Sequence, residues 1–349
     1  MSNGAKYAGT VTRHERKTLQ DIADAAGLSK AAASYALRGI RGSEKTRAKV
    51  RSIADELGYS ADPIARALAN GRSGNVAIVG SLRDMWRQGL AVMLSEALRA
   101  EDLSAIIADV DGSPQREREV LHMLAAQRVD GAVVLPIDPS ADYWADVPAD
   151  LRIVSIGDAL PTLPEAGCVL FDNEYGVGTA LKHLSGLGHR AVGLLAPSLT
   201  STPGRPAEVL AQTFGQSMGM EVRVSSSPAT VAGAAESARE LLAASPRPTA
   251  LFCLGDSLAF GAYSAARGLG LSVPDDVSIL GFDDSELAPL VTPELTTFGW
   301  DEQAIVDAAV RILTMPDDDD SVPGTVMFRP EFILRGSTGT PQAALPPTP

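Results

Sequence analysis

Cysteine is nearly absent from this 349-residue chain, and the two that occur, Cys168 and Cys253, lie far apart in apolar segments. That usage excludes a disulfide framework or a thiolate metal site and predicts two buried thiols. Aromatic residues make up only 5%. No apolar run approaches the roughly 20 residues of a membrane-spanning helix. The polar N-terminal stretch MSNGAKYAGTVTRHERK has no signal-peptide core, so the expected location is the cytoplasm. Also lacking are a Gly-x-Gly-x-x-Gly after the first strand, a phosphate-binding P-loop and a nucleophile elbow, so no enzyme activity and no cofactor are expected. The acidic run Asp317 to Asp320 has no second ligand set beside it and reads as a solvated loop rather than a metal site.

What is present is a soluble, globular composition, 45% hydrophobic and 21% charged, with room for more than one domain. Charge is unevenly spread. Residues 1 to 73 hold 13 Lys and Arg against 7 Asp and Glu, a net of +6, whereas the other 276 residues hold 17 against 36, a net of −19. A basic head on an acidic body points to nucleic acid contacted through one end.

The head, residues 18 to 61, follows a 17-residue arm that reads as disordered. Thr18 is placed to cap a first helix carrying Ile22, Ala23 and Ala26 on one face, Gly27 supplies a turn, and Ser29 caps a second helix. Two short helices joined through a Gly-containing turn are a helix-turn-helix signature. Ser43 opens a third, whose Val50, Ile53, Ala54 and Leu57 would close a small core. The second helix would enter the major groove with Lys30, Ala31 and Tyr35 exposed, Ala31 suited to a thymine methyl and Lys30 to guanine. Phosphate anchoring falls to Ser29, Ser34, Arg38, Arg41, Lys45, Thr46 and Arg47, with the cap residue Thr18 beside them. Residues 62 to 73, DPIARALANGRS, carry an N-cap, a proline at the first helical position and a closing glycine, which spells a short hinge helix. It is too short to stand alone in water, so its Ile64, Ala67 and Leu68 need a partner.

These residues resemble the lac repressor (LacI/GalR) family of transcription regulators. TLQDIADAAGLSKAAASYAL follows the family's T-x-x-D-[IV]-A-x-x-A-G-[VL]-S opening, and Pro63-x-x-x-Arg66-x-Leu68 follows its hinge. The resemblance runs from Thr18 to Ser337. It implies a homodimer on double-stranded operator DNA, with Leu68 wedged into the minor groove. Tyr35 stands where the best-studied members carry arginine.

From Gly74 to Thr338 strands and helices alternate in two series, which predicts an α/β body of two doubly wound parallel lobes, like a periplasmic binding protein. Helices are expected from Gly89 to Ala100, and from a cap at Asn173 to Leu187; TVMFRPEFILR (325 to 335) reads as one strand. The resemblance places late segments back in the first lobe, so the chain would cross between lobes more than once. The tail, 339 to 349, is proline-rich and expected to be disordered.

A small molecule belongs in the cleft at the carboxyl ends of such strands. Arg205, Asp283 and Trp300 follow strands there, and by resemblance they match family positions that touch effector in sugar-responsive relatives; Asp84 and Asp172 are additions from the first lobe. Asp256 and Asp284 read instead as caps of backbone N–H groups, and His189, in a Gly-His-Arg turn, as structural. By the resemblance, Gly255 and Gly157 stand where relatives carry side chains that bind effector, which alters the pocket and leaves room for a ligand bulkier than a simple monosaccharide. A cation, a carboxylate and one large ring favour a neutral polyhydroxylated ligand, a carbohydrate, over a purine, for which a second aromatic is expected. The alternatives are a regulator with no effector or with a protein co-regulator, and, outside regulation, an α/β solute-binding protein or enzyme.

The hinge reading has a direct test in filter binding on operator and random DNA. Leu68→Ala should weaken operator binding far more than random-DNA binding, because the wedge is lost and the phosphate contacts remain. Lys45→Ala should weaken both and flatten the salt dependence; equal losses on both DNAs for Leu68→Ala would refute the wedge.

Overall fold

Thr18 opens the first helix with a reciprocal bond: its backbone N–H donates to the Asp21 carboxylate at 2.7 Å while the Asp21 N–H returns to its hydroxyl. The computed structural model describes residues 17–59, 72–197, 206–228, 230–316 and 324–342. The chain divides into two compact units, 1–73 and 74–349. In the first, α1 (Leu19–Ala26) ends at Gly27 in a left-handed conformation (φ 69°), α2 (Lys30–Leu37) starts from the Ser29 cap, and α3 (Glu44–Glu56) from the Ser43 cap. Ile22, Ala26, Ala36, Val50 and Ala54 form their small core. The expected hinge helix, with Leu68, lies outside the described residues, as do Arg205 and the Asp317–Asp320 run.

The second unit holds two parallel sheets. The first has strand order β11-β5-β4-β3-β1-β2, built from β1 (Asn75–Gly80), β2 (Ser104–Asp109), β3 (Gly131–Leu135), β4 (Arg152–Gly157), β5 (Gly167–Phe171) and β11 (Thr325–Phe328). The second runs β7-β6-β8-β9, from β6 (Ala191–Pro197), β7 (Glu221–Ser227), β8 (Ala250–Cys253) and β9 (Ser278–Leu280). β10 (Thr297–Gly299) and β12 (Glu331–Ile333) make a separate antiparallel pair. Near-continuous apolar strands such as GAVVL at β3, buried at every position, are what a sheet covered on both faces requires.

Helices supply those covers. On the first sheet, α4 (Met85–Ala100) and α10 (Glu302–Thr314) lie on one face, packing Leu90, Leu94, Ile305 and Leu313 on Ile78, Val133 and Val154, and α5 (Pro114–Ala126) lies on the other with Leu121 and Leu124. On the second, α6 (Asn173–Leu187) and α7 (Pro206–Ser217) face α8 (Val231–Ala243) and α9 (Asp256–Gly268) across the strands. Both cysteines are buried and free. Among the described residues no helix is long and apolar enough to cross a membrane, and no group of three potential metal ligands occurs.

The chain passes between lobes three times, at residues 171–173, 300–302 and 328–331. These crossings are laced together: Phe171 lies against Trp300 with ring centroids 4.4 Å apart, and Arg329 pairs with Asp172 at 3.0 Å while covering the Tyr175 ring.

Four sequence expectations need correction. α4 begins a turn before Gly89, because Asp84 caps it by accepting the Arg87 N–H at 3.1 Å; Trp86 and Arg87 in that turn line a cavity rather than the core and so break the apolar period. α6 is capped by Asp172, not Asn173. The single strand expected over 325 to 335 is two, broken at Arg329-Pro330, since proline has no N–H for a ladder. Gly339, assigned to the tail, is held: its carbonyl accepts from the His189 side, and its N–H donates to Ser278 Oγ at 3.0 Å.

Glu117, in the first turn of α5, is fully buried, and its carboxylate accepts the Ile137 N–H at 3.1 Å and the Tyr143 hydroxyl. Burial pushes its pKa from 4.5 to about 7 against those bonds. Since the folded-state value is the higher, the stability it contributes is present below about pH 4.5 and lost as pH rises through about 7. The loss is on the order of 3 kcal/mol. Glu117→Gln keeps an acceptor for Ile137, so its melting temperature should overtake the parent's progressively between pH 5 and 8; a pH-independent difference would contradict this.

Candidate DNA-binding face and effector cleft

In the head, the short second helix is poor in polar side chains, which concentrates recognition in few groups. Lys30 and Ala31 are exposed in its first turn, and Tyr35 is 40% exposed one turn later. The Arg41 guanidinium lies over the Tyr35 ring, 5.6 Å from its centroid, a cation–π contact that joins the two side chains. Ser29 accepts the Ala32 N–H at 3.2 Å, and its hydroxyl hydrogen is left to donate beside the positive end of α2. Ser43 and Thr46 bond to each other at 2.9 Å at the start of α3, with Lys45 exposed between them. Arg47 Nε donates to the Gly42 carbonyl at 3.0 Å, which fixes the loop before α3 and orients the rest of the guanidinium. Ser34 is half-buried and Arg38 exposed at the end of α2; Thr18 uses its hydroxyl on Asp21 at 2.9 Å.

In the body, the carboxyl ends of both sheets meet in one cavity of about 170 Å³. It sits at both reversals of strand order: Asp84 follows β1 and Pro136 follows β3 in one lobe, while Pro197 ends β6 and Leu254 follows β8 in the other. Of the expected residues, Asp84, Asp283 and Trp300 line it. Asp172 does not, since Oδ1 caps α6 at Tyr175 and Oδ2 holds Arg329.

The cavity wall contains groups the sequence did not single out. Trp86 stands edge-on to Phe171 at 75° and 5.7 Å, and Phe282 lies 5.8 Å from Trp300, so four aromatic rings surround the space. Arg87 and Asp158 also line it. A signal for Trp86 and Arg87 did exist: they lie two and three residues after Asp84, in the segment that follows β1.

Asp283 is the electrostatic centre. Burial, then the Asp84 and Asp256 carboxylates, hold its pKa well above the ordinary range, against the Trp300 indole N–H and the Arg87 guanidinium. Its backbone is left-handed at φ 105°, a conformation fixed by its N–H donating to the Phe298 carbonyl at 2.7 Å. Asp256 and Asp284 are structural, as expected, but by different bonds. Asp256 accepts the Ser285 N–H and the Thr297 hydroxyl, both at 2.7 Å, and Asp284 pairs with Arg335 at 2.7 Å. His189 is buried between Thr249, Ser278 and Gly339.

Comparison with known proteins bears on both sites. Residues 18–62 match the model of bacterial regulatory proteins, lacI family, and residues 181–338 that of a periplasmic binding protein-like domain. The chain is 32% identical over 337 residues to the HTH-type transcriptional regulator MalR of Streptomyces coelicolor, covering 92% of this chain and 96% of that one. The lac repressor dimer bound to operator and the anti-inducer ONPF shares its fold, with a TM-score of 0.80 at 24% identity over 93% of this chain and 100% of that one. The transcriptional regulator CelR–cellobiose complex is 25% identical with a TM-score of 0.64, covering 92% and 100%. With its helix-turn-helix head and two-lobed body, this chain belongs to the lacI family of bacterial regulatory proteins and is a DNA-binding transcriptional regulator, not an enzyme.

Proposed function

We propose that the protein is a cytoplasmic, homodimeric repressor whose paired heads and hinges each read half of a pseudo-palindromic operator, under control of a sugar or sugar derivative held in the body cavity. Base contacts come from Lys30, Ala31 and Tyr35, and phosphate contacts from Ser29, Arg38, Arg41, Lys45, Thr46 and Arg47. The observation that carries the effector reading is the cavity itself, where Asp84 and Asp283 present carboxylates beside the Trp300 ring. Carboxylates take sugar hydroxyls as donors, and an indole face suits the C–H face of a sugar ring.

The sequence argument against a purine, that a second aromatic was lacking, does not survive, because Trp86, Phe171 and Phe282 are there. A different argument replaces it. A base sandwich needs two parallel rings roughly 7 Å apart, twice the contact distance of about 3.5 Å. Here Phe171 and Trp300 already touch at 4.4 Å, and Trp86 meets Phe171 edge-on. The relative solved with cellobiose supports the same class.

Binding in the cavity touches Trp300 and Phe171, both at lobe crossings, so it would bias the angle between lobes and through it the hinges. Thermal-shift measurement of the full-length chain against sugars, sugar phosphates, nucleosides and amino acids tests the class; a ligand at 100 times its Kd adds roughly 2.7 kcal/mol of stability. Asp283→Asn, which tolerates the left-handed backbone, should weaken any sugar hit about tenfold or more. A hit unaffected by it, or hits among nucleosides alone, would overturn the assignment.

A further inference from the structure

The charge and the open space of the cavity say more than that hydroxyls are bound. Three carboxylates line it, Asp84, Asp158 and Asp283, against one described cation, Arg87. Asp256 stands behind Asp283 but is used up on Ser285 and Thr297. Ionised carboxylates gathered in a partly apolar cavity repel one another; burial, and then this repulsion, hold the Asp283 pKa up even beside Arg87, and a further cation joining them would relieve the repulsion.

Two glycines clear space beside these groups. A Cβ at Gly255 would meet Asp283 Oδ2 at 3.5 Å and nothing else within 4 Å, so the missing side chain leaves space beside that oxygen. A Cβ at Gly157 would meet the Phe171 ring edge at 3.6 Å, so its absence leaves room beside the Phe171–Trp300 contact. Both residues have positive φ, 149° and 105°, where other side chains are strained. Acidic side chains beside glycine-cleared space in a ring-walled cavity are a setting for an ammonium group, held by charge-assisted hydrogen bonds to the carboxylates while the rings pack on the ligand's C–H groups. Size limits the rest of the ligand. An apolar cavity of roughly 150 Å³ accommodates benzene, so about 170 Å³ suits one six-membered ring.

We propose that the effector is a single-ring amino sugar whose protonated amine sits between Asp84 and Asp283 against the aromatic wall. This rests on the carbohydrate reading of the same cavity and narrows it from neutral sugars to cationic ones. Charge, rather than hydroxyl pattern, then sets the main discrimination: the N-acetylated form of the same sugar, having lost the ammonium, is rejected along with the parent hexose.

Isothermal titration of the full-length chain at pH 7 with glucosamine, galactosamine and mannosamine, their N-acetyl forms and the three parent hexoses tests this. At least one amine should bind tenfold or more tighter than both its N-acetyl form and its parent. Asp84→Asn preserves the α4 cap, because asparagine caps as well as aspartate, and it should weaken the amine far more than the parent hexose, which erases that preference. If a parent or N-acetyl sugar binds as tightly as the amine, the ammonium site is refuted and the carbohydrate reading stands. If none of the nine binds, the amino-sugar assignment is refuted, and the carbohydrate reading falls only if the thermal-shift panel of sugars and sugar phosphates is also blank.

Discussion

The carboxylate of Asp256 ties together the segments that carry two of the groups lining the cavity between the sheets, Asp283 and Trp300. It sits at the first position of α9, is 1% exposed, and accepts the Ser285 N–H through one oxygen and the Thr297 hydroxyl through the other. Burial pushes its pKa to about 6 even with these donors in place, so the bonds are held at an electrostatic cost. What they secure is position. The loop between Ser285 and β9 is pinned with Asp283 in its left-handed conformation, and β10 is pinned three residues before Trp300. A side chain at Gly281 would place a Cβ 2.3 Å from Asp256 Oδ1, so that glycine, the aspartate and Thr297 form one interdependent unit. Asp283 and Trp300 are aimed by a residue that does not itself line the cavity.

Local rules made most of the elements legible. Thr18, Ser29 and Ser43 were readable as caps because capping is a contact within four residues, and Gly27 because a left-handed turn needs no tertiary context. Unbroken apolar runs such as those of β3 and β8 announced buried parallel strands. Failures came where distant parts of the chain decide. Asp172 was assigned to a ligand because it follows a strand, but its carboxylate is claimed by Arg329, 157 residues later. Phe171 and Phe282 drew no notice in the sequence because nothing local distinguishes an aromatic that walls a cavity from one that fills a lobe. Gly339 belongs to the fold only because the His189 imidazole and Ser278, remote in sequence, provide its partners.

The three lobe crossings share one logic with the cavity. Phe171 at the first crossing and Trp300 at the second are in contact, and Arg329 at the third reaches back to Asp172 at the first. Close packing extends this: a Cβ on Gly176 would strike the Phe282 ring at 2.9 Å and Pro330 at 3.2 Å, so α6 approaches the third crossing as nearly as a backbone permits. A ligand touching those rings therefore touches the linkage between lobes directly, without an intermediate chain of side chains.

The same crossings impose an order on synthesis. Residues 75 to 171 lay down five of the six strands of the first sheet, but one face of it is covered by α10, whose Ile305, Ala309 and Leu313 come about 130 residues later, and its edge is finished by β11 later still. The second sheet and the helices on its two faces fall within 173 to 280, an unbroken stretch. On a chain emerging from its N-terminus, the second sheet is the first to have all its covering helices, while Ile78, Val133 and Val154 wait half-covered. The lobe begun first is the lobe sealed last, and for that interval part of its apolar face stays uncovered.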